Sequence, residues 1–262
     1  MFDIHSHIIP RFDDGVTSEE AAIELLSREA EGGTMAIFAT PHVESARDLD
    51  ASPIILEKVE EVRRLVAEAG IAIEVYSGAE LYPSMGIVEA LAAGKPITLA
   101  GRGKHVLVDL PMGTFPMDFD QVLYEIQSFG VTPILAHPER VGPFQNAPDK
   151  LREYVDRGIP CQINSRSLTG RYGKRAQELG FYFLKRRWAH FLASDAHAPG
   201  QQPILRAGMD TLEGKIDGDY LRMITVTSGK CVAEGRDLPP LPATPVEEPK
   251  RTWIGRLLAR NV

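Results

Sequence analysis

Two histidines lie two residues apart at the start of the chain and are followed by acidic residues. The sequence opens MFDIHSHIIPRFDDG, which places His5 and His7 just ahead of Asp14. Along a strand, residues i and i+2 point to the same side, so both imidazoles can face one metal ion or two neighbouring ions. Asp195 and His197 repeat this spacing near the other end of the chain. Both pairs predict metal ligation.

Four more candidate ligands each stand at or near the end of a short apolar run. They are His42 in ATPH, Glu80 in GAE, Asp109 in VDL and His137 in LAHPER. The complete set holds five histidines and four carboxylates, which is too many for one ion. Imidazole nitrogens and carboxylate oxygens without thiolates suit Mn, Fe or Zn, and not a cysteine-rich structural zinc site. The set therefore predicts two or three divalent ions, with Mn preferred over Fe or Zn.

A cluster of this kind predicts hydrolysis of phosphate esters. Bound divalent ions lower the pKa of water towards about 7 and clamp the attacking and leaving oxygens. Three divalent ions against four carboxylates would leave a positive charge for an anionic substrate. Five other polar residues are interpreted as supporting, solvated or structural groups: Asp3, Asp13, Glu139, His105 and His190.

The elements that must position these residues are short apolar runs that alternate with helical patterns. The runs predict strands at residues 1–5, 35–40, 71–80, 104–111, 131–137, 159–164 and 189–195. Helices are predicted after an N-cap at Thr17, from Ser52, and at 119–129 and 150–157. This alternation is typical of parallel βα units, whose strand ends meet on one face and form active sites. Seven units favour a closed or nearly closed α/β barrel, although an open doubly wound sheet stays an alternative because periodicity does not show closure.

Composition narrows the class of protein. The 262 residues carry a net charge of −7, so a global basic surface for nucleic acid is absent. Two cysteines make no disulfide framework, and each is followed by an arginine one residue too early for the C-x5-R loop of cysteine-dependent phosphatases. We see no signal peptide, and no apolar run reaches the roughly 18–20 residues that span a bilayer. We therefore expect a cytoplasmic protein.

The chain divides into three parts on its composition. Residues 1–236 are predicted to form the catalytic domain, and the proline-rich stretch 237–249 a linker with an extended bias. Residues 250–262 read KRTWIGRLLARNV and form a short basic amphipathic segment. Two interpretations of this segment stay open: a tail packed against the domain, or a segment that docks weakly on an anionic membrane or a partner.

The motifs DIHSH, TPH, GAE, AHPER and SDAH resemble the PHP (polymerase and histidinol phosphatase) superfamily. DIHSHI followed by DDG, and GAE followed by Leu-Tyr, are more similar to its bacterial protein-tyrosine phosphatases encoded with capsule and exopolysaccharide genes. The resemblance covers about residues 1–235. It implies a distorted seven-stranded TIM-like barrel and a trinuclear site that hydrolyses phosphotyrosine. The implied substrate is the tail of a membrane tyrosine autokinase that governs polysaccharide export.

The resemblance also implies roles for individual residues. The first ion would take His5, His7, Glu80 and Asp195, the second Glu80, Asp109 and His137, and the third Asp14, His42 and His197. Arg140 would be the catalytic arginine that binds the substrate phosphate. Two departures stand out, since the family usually has a glutamate at Asp109 and often a second phosphate-binding arginine where this chain has Gln202. Arg166 and Arg206 are the candidates to replace that charge.

Two rival functions remain open from the sequence. A small-molecule phosphatase of the histidinol-phosphate type would use the same metal ligands. A degenerate module of this superfamily would bind metal and stabilise a complex without turnover. Assay of a phosphotyrosine protein beside histidinol phosphate separates the first rival from the main hypothesis, and persistent inactivity with metal present would favour the second.

Overall fold

Nine short parallel strands form the framework of the protein. The computed structural model describes residues 1–50 and 52–244. The strands are β1 Phe2–Ser6, β2 Ala36–Ala39, β3 His42–Val43, β4 Glu74–Ser77, β5 Glu80–Leu81, β6 His105–Val108, β7 Thr132–Ala136, β8 Cys161–Asn164 and β9 Phe191–Ala193. They pair into a three-stranded sheet in the order β1-β2-β4 and a six-stranded sheet in the order β3-β5-β6-β7-β8-β9. An α/β fold with parallel sheets is therefore confirmed.

Each of the seven predicted strand runs contains an observed strand, but the strands differ from the prediction at two of them. The predicted run 35–40 contains only β2, and the unpredicted β3 begins after Pro41, which has no N–H to give to a ladder. The run through β4 continues as β5 after Gly78, where a Cβ atom would meet Leu99 Cδ2 at 2.6 Å. Because of these breaks, β2–β4 and β3–β5 belong to different sheets.

The predicted closed seven-stranded barrel is not confirmed, because the ladders of the described residues remain two separate sheets. One parallel bridge, between Ser6 and Ala196, joins the end of β1 to the residues after β9. Beside it, the Asp195 N–H donates to the His5 carbonyl at 2.9 Å, and the His7 N–H donates to the Ala196 carbonyl at 2.9 Å. The first and last strands are thus neighbours at their carboxyl ends.

Helices follow the strands as the alternation predicts. They are α1 Glu19–Glu31, α2 Ala46–Asp50, α3 Ser52–Glu68, α4 Met85–Ala92, α5 Phe119–Ser128, α6 Gly142–Asn146, α7 Lys150–Asp156, α8 Ser165–Leu168, α9 Lys174–Lys185, α10 Ile204–Asp210, α11 Gly218–Arg222 and α12 Ser228–Glu234. The predicted N-cap at Thr17 is wrong by one residue, since Ser18 caps α1 and its hydroxyl accepts from the Ala21 N–H at 3.2 Å. Within the part of the chain that the structure describes, no helix is both long and apolar enough to cross a bilayer.

The core that carries the strand ends includes one large side chain from each of five strands. Ile4, Phe38, Leu107, Ile134 and Phe191 are all buried and belong to one hydrophobic cluster. They come from β1, β2, β6, β7 and β9, so packing in this cluster fixes the strands relative to one another. A larger apolar cluster includes the buried faces of the helices. The described part of the predicted linker reaches this framework, because residues 238–241 line a cavity with His190. The predicted segment 250–262 lies outside the described residues.

Candidate metal centre

The strand ends bring all five predicted histidine ligands into one cluster. The ring centroids of His5 and His7 are 5.3 Å apart, and His137 lies 5.6 Å from His5. His7 also lies 4.6 Å from His42 and 4.0 Å from His197. His5 and His7 lie at the carboxyl end of β1, His137 directly follows β7, His197 lies in the segment after β9, and His42 begins β3. The structure thus brings the five candidate histidine ligands together.

Glu80 lies at the centre of this cluster and uses both of its carboxylate oxygens. Oε2 lies 3.2 Å from His5 Nε2, 3.4 Å from His7 Nε2 and 3.0 Å from His42 Nδ1. Oε1 lies 3.0 Å from His137 Nε2. The side chain is 1% exposed. A buried carboxylate in contact with four imidazoles is suited to bridge neighbouring cations.

The two carboxylate oxygens of Asp195 have different partners: one faces the histidine cluster and the other contacts an arginine. Oδ1 lies 3.5 Å from His5 Nε2, from His7 Nε2 and from His197 Nδ1. Oδ2 accepts from Arg140 Nη1 at 2.7 Å. Asp195 therefore connects the histidine cluster to Arg140, for which the family resemblance implies phosphate binding.

Asp14 and Asp109 complete the predicted set at its outer edge. Asp14 Oδ1 lies 3.3 Å from His197 Nε2 and 3.5 Å from His42 Nε2. Asp109 Oδ1 lies 3.7 Å from His137 Nε2. Asp14 is 66% exposed and Asp109 is 20% exposed, so both border the opening of the site. The structure thus brings all nine predicted ligands together.

Hydrogen bonding on the far side of two rings fixes which nitrogen faces the centre. His7 Nδ1 donates to Asp13 at 2.7 Å, and His5 Nδ1 donates to the amide oxygen of Gln162 at 3.1 Å. The same amide oxygen accepts from the His137 N–H at 3.3 Å. The Nε2 atoms of His5 and His7 therefore face the centre, as is usual for metal-ligating histidines.

The atoms that face the centre are the test of whether the residues fit cations. The two Nε2 atoms are 3.2 Å apart and both face the ionised Glu80 carboxylate. Within the described residues, Glu80 Oε2 and His42 Nδ1 lie 3.0 Å apart, yet neither atom makes a hydrogen bond although both are buried. Nitrogen and oxygen ligand atoms that converge in this way fit divalent cations. Three groups have ligand atoms within 4.8 Å of one another: His7, Asp14, His42, His197; His5, His7, Glu80; and His42, Glu80, Asp109.

Burial and neighbouring charges shift the pKa values of the clustered residues. Burial alone would lower the pKa of His5, but the charges of Glu80 and Asp195 outweigh burial and raise it to about 9. Burial would raise the pKa of Glu80, yet the neighbouring histidines hold it well below its usual range. For Asp109, burial and the Glu80 charge raise the pKa. The central carboxylates are therefore ionised at neutral pH and electrostatically matched to cations.

The backbone bends sharply at two of the candidate ligands. His137 has φ 35° and Asp195 has φ 50°, in the left-handed region that non-glycine residues rarely adopt. His137 directly follows β7 and Asp195 is the second residue after β9, so each turn lies where a ladder ends and directs the side chain into the site. Backbone strain of this kind persists where the surroundings hold it, and it is concentrated at functional sites. At Gly15, a Cβ atom would meet the His7 carbonyl oxygen at 2.2 Å, so only glycine lets the Asp13–Asp14 loop approach His7.

A family model of capsular polysaccharide synthesis proteins, CpsB/CapC, matches residues 1–234. The chain belongs to the CpsB/CapC family. It is 30% identical to the tyrosine-protein phosphatase YwqE of Bacillus subtilis over 197 residues, which are 75% of this chain and 77% of YwqE. It is 31% identical to the tyrosine-protein phosphatase CpsB of Streptococcus pneumoniae over 208 residues, which are 78% of this chain and 85% of that protein.

Solved structures agree with the family assignment. A chain from the crystal structures of YwqE from Bacillus subtilis and CpsB from Streptococcus pneumoniae, described as metal-dependent tyrosine phosphatases, matches with a TM-score of 0.84. The match has 25% sequence identity and covers 95% of this chain and 100% of the other. The resemblance inferred from the sequence motifs is confirmed, and these relatives are named as phosphatases of tyrosine and not of histidinol phosphate.

In this CpsB/CapC chain, sequence reasoning missed some of the residues that support the centre. Gln162 and Asn164 stand at i and i+2 at the end of the strand run IPCQIN, which is the same signal that identified His5 and His7. Asn164 Nδ2 donates to Asp195 Oδ2 at 2.6 Å. The residues interpreted as supporting groups have such roles: Asp13 orients His7, and the buried Glu139 accepts from the Asn164 N–H at 2.9 Å. Buried Asp3 likewise accepts from the N–H of the residue before Asp195, at 2.9 Å.

Proposed function

We propose that the protein is a metal-dependent protein-tyrosine phosphatase. The observation that carries this proposal is the buried convergence of His5 Nε2 and His7 Nε2 on the Glu80 carboxylate. Membership of a family whose relatives are named tyrosine-protein phosphatases supports phosphotyrosine as the substrate.

The proposed cofactor is a set of two or three divalent ions, with Mn preferred and Fe or Zn as alternatives. The nitrogen and oxygen donor set without thiolates supports this choice. The ions would be held by the nine candidate ligands His5, His7, Asp14, His42, Glu80, Asp109, His137, Asp195 and His197. When bound, divalent ions lower the pKa of water and neutralise the phosphate, which is the chemistry that hydrolysis of a phosphomonoester needs.

The side chains of the protein then have distinct tasks. Asp13 and Gln162 hold the rings of His7 and His5 with Nε2 turned inward, so no reorientation is needed when ligands bind. Arg140 lies at the edge of the cluster with a guanidinium group that suits two phosphate oxygens. We propose that Arg140 binds the substrate phosphate and stabilises the charge of its oxygens during transfer. Burial of Glu80 lowers the local dielectric constant, which strengthens electrostatic contacts in the centre.

The physiological substrate proposed here is a phosphotyrosine protein of capsule or exopolysaccharide synthesis, in particular a membrane tyrosine autokinase. The capsular family of the chain supports this partner. We retain a cytoplasmic location in the proposal, since both cysteines are free and buried. Weak membrane contact through residues 250–262 remains a prediction from the sequence, as do the boundaries of the three parts of the chain. Closure of the strands into a barrel is also proposed, supported by the contact between the ends of β1 and β9.

The test is hydrolysis of a phosphotyrosine peptide by chelated protein to which Mn, Fe, Zn or Mg is added back, with histidinol phosphate assayed in parallel. We expect turnover of the peptide to vanish on chelation and return with Mn. His137→Ala should abolish turnover and leave the thermal unfolding midpoint of the chelated protein nearly unchanged. Activity that survives complete metal removal would refute the mechanism, and a preference for histidinol phosphate would favour the small-molecule alternative.

A further inference from the structure

A tyrosine ring lies against one arginine and near a second at the rim of the candidate metal centre. The guanidinium carbon of Arg140 lies 4.0 Å from the centroid of the Tyr172 ring. Burial and the Asp195 charge raise the pKa of Tyr172, while the nearby Arg140 and Arg166 act in the opposite direction. Stacking over an aromatic face restrains a guanidinium group and stabilises it where it is partly desolvated. One side chain thus lies close to both cations.

Arg166 reaches this rim because its helix starts directly after a strand. It is the second residue of α8, which follows the carboxyl end of β8. Arg166 Nη2 donates to the carbonyl of Ala198, the residue after His197, at 3.2 Å. Its backbone N–H donates to the Asn164 side chain at 3.2 Å, and that side chain donates in turn to Asp195. Both ends of Arg166 are therefore tied to the residues around the centre.

The two arginines differ in how their charge is balanced. Arg140 pairs with Asp195 at 2.7 Å, whereas no carboxylate of the described residues lies within 4.0 Å of Arg166. Its positive charge is available to an incoming anion. Arg206, the other candidate from the sequence, pairs with Asp210, and its Cβ approaches the position of Gly32 at the end of α1. That position precedes β2, so Arg206 lies towards the amino ends of the strands, away from the candidate centre.

The loop that carries Tyr172 has a defined shape. It reads GRYG, and both Gly170 and Gly173 have positive φ, at 81° and 87°. These values are easy for glycine and strained for other residues. The loop therefore presents Tyr172 at a fixed position between α8 and α9.

We propose that Tyr172 is a positioning residue that holds Arg140 and Arg166 as a pair of cations, and that this pair binds the phosphate of the substrate. The inference rests on the proposed phosphatase function, because it assigns the substrate's phosphate to this rim. Two planar guanidinium groups suit a dianionic phosphomonoester, since each can donate two N–H groups to its oxygens. Arg166 supplies the charge that Asp195 neutralises on Arg140.

The experiment compares Arg166→Gln, Tyr172→Leu and Tyr172→Phe with the wild type, all loaded with the activating metal. Steady-state kinetics on a phosphotyrosine peptide gives kcat and KM, and calorimetric titration gives the Kd of inorganic phosphate. Arg166→Gln should raise both KM and the phosphate Kd about tenfold with a smaller change in kcat, because one charged hydrogen bond is lost. Tyr172→Leu should weaken phosphate binding by a similar factor. Tyr172→Phe keeps the ring under Arg140, so it should recover part of the loss.

The matched control is Arg171→Gln, which removes a neighbouring exposed arginine from the same loop and should leave all three constants unchanged. If the wild type hydrolyses the peptide but Arg166→Gln and Tyr172→Leu behave like the control, the inference is wrong and the phosphatase proposal stands. Lack of wild-type turnover would refute the proposed function, and the phosphate Kd values would still decide the role of the rim. If Tyr172→Leu does not fold, equal phosphate Kd values for Tyr172→Phe, Arg166→Gln and the wild type overturn the inference.

Discussion

His105 offers a test of the distinction between structural and ligand histidines. It lies at the start of β6, is 1% exposed, and neither of its ring nitrogens has a hydrogen-bond partner among the described residues. Burial, and then the charge of Lys104, lower its pKa to about 4. His5, equally buried but beside carboxylates, has its pKa raised instead. His105 is therefore neutral in the folded protein and resists protonation down to a much lower pH than in the unfolded chain.

Proton linkage gives the loss of folding stability that this low pKa causes at acidic pH. The unfolded chain binds a proton at His105 with the ordinary pKa of 6.5, whereas the folded protein binds it only near 4. Stability is therefore unaffected above pH 6.5 and is lost as the pH falls from there towards 4. At pH 5 the two values give a loss of about 2 kcal/mol from this single residue.

The perturbation is His105→Leu, which removes the titration and two unpaired polar atoms from the interior. Urea unfolding of the chelated variant and wild type gives the difference in free energy of unfolding at pH 8 and at pH 5. We expect this difference to shift in favour of the variant by about 2 kcal/mol between the two pH values. The site histidines titrate in both proteins, so their contribution cancels. A difference that is the same at both pH values would refute the assignment of His105 as a neutral buried residue.

Further predictions concern the candidate centre. Gly15→Ala should lower turnover at least tenfold, because the new Cβ atom would meet the His7 carbonyl at 2.2 Å and displace the loop; peptide kinetics and metal content check this. Asp109→Glu should keep turnover within about threefold and require more chelator for inactivation, since the longer side chain reaches further into the site. Arg140→Gln should lower metal affinity as well as phosphate affinity, as measured by calorimetry, because Arg140 holds Asp195 Oδ2. Cys161→Ser should leave kcat unchanged, whereas a loss of turnover would revive a thiolate mechanism.

The sequence predicted the strand ends well because their signal is local. Apolar runs that end in His, Asp or Glu indicated the candidate ligands without knowledge of the pairing partners. The separate strand β3 and the division of the run 71–80 into β4 and β5 were not predictable, since each depends on which ladder a short segment joins. The capping error at Thr17 arose because Ser18 is an equally good N-cap by type.

The residues that support the candidate ligands were not predicted, for a different reason. Gln162 and Asn164 carry no charge, so a search for titratable groups passes over them although their spacing is the same as that of the ligands. Tyr172 lies in a loop between two helices, and only the tertiary structure shows that its ring lies under Arg140. Such a contact depends on the packing of segments that are distant in the sequence. The local sequence pattern carries no information about that packing.

Asp195 explains why the metal centre and the arginine rim form one site. Its Oδ2 accepts from both Arg140 and Asn164, so the carboxylate is fixed in rotation and Oδ1 must face the histidines. The positive φ of Asp195 directs the whole side chain to this position at the end of β9. Arg140 therefore orients a candidate ligand in addition to facing the rim, whereas the side chain of Arg166 pairs with no carboxylate of the described residues. This asymmetry predicts that replacing Arg140 lowers both metal affinity and phosphate affinity, whereas replacing Arg166 lowers phosphate affinity alone.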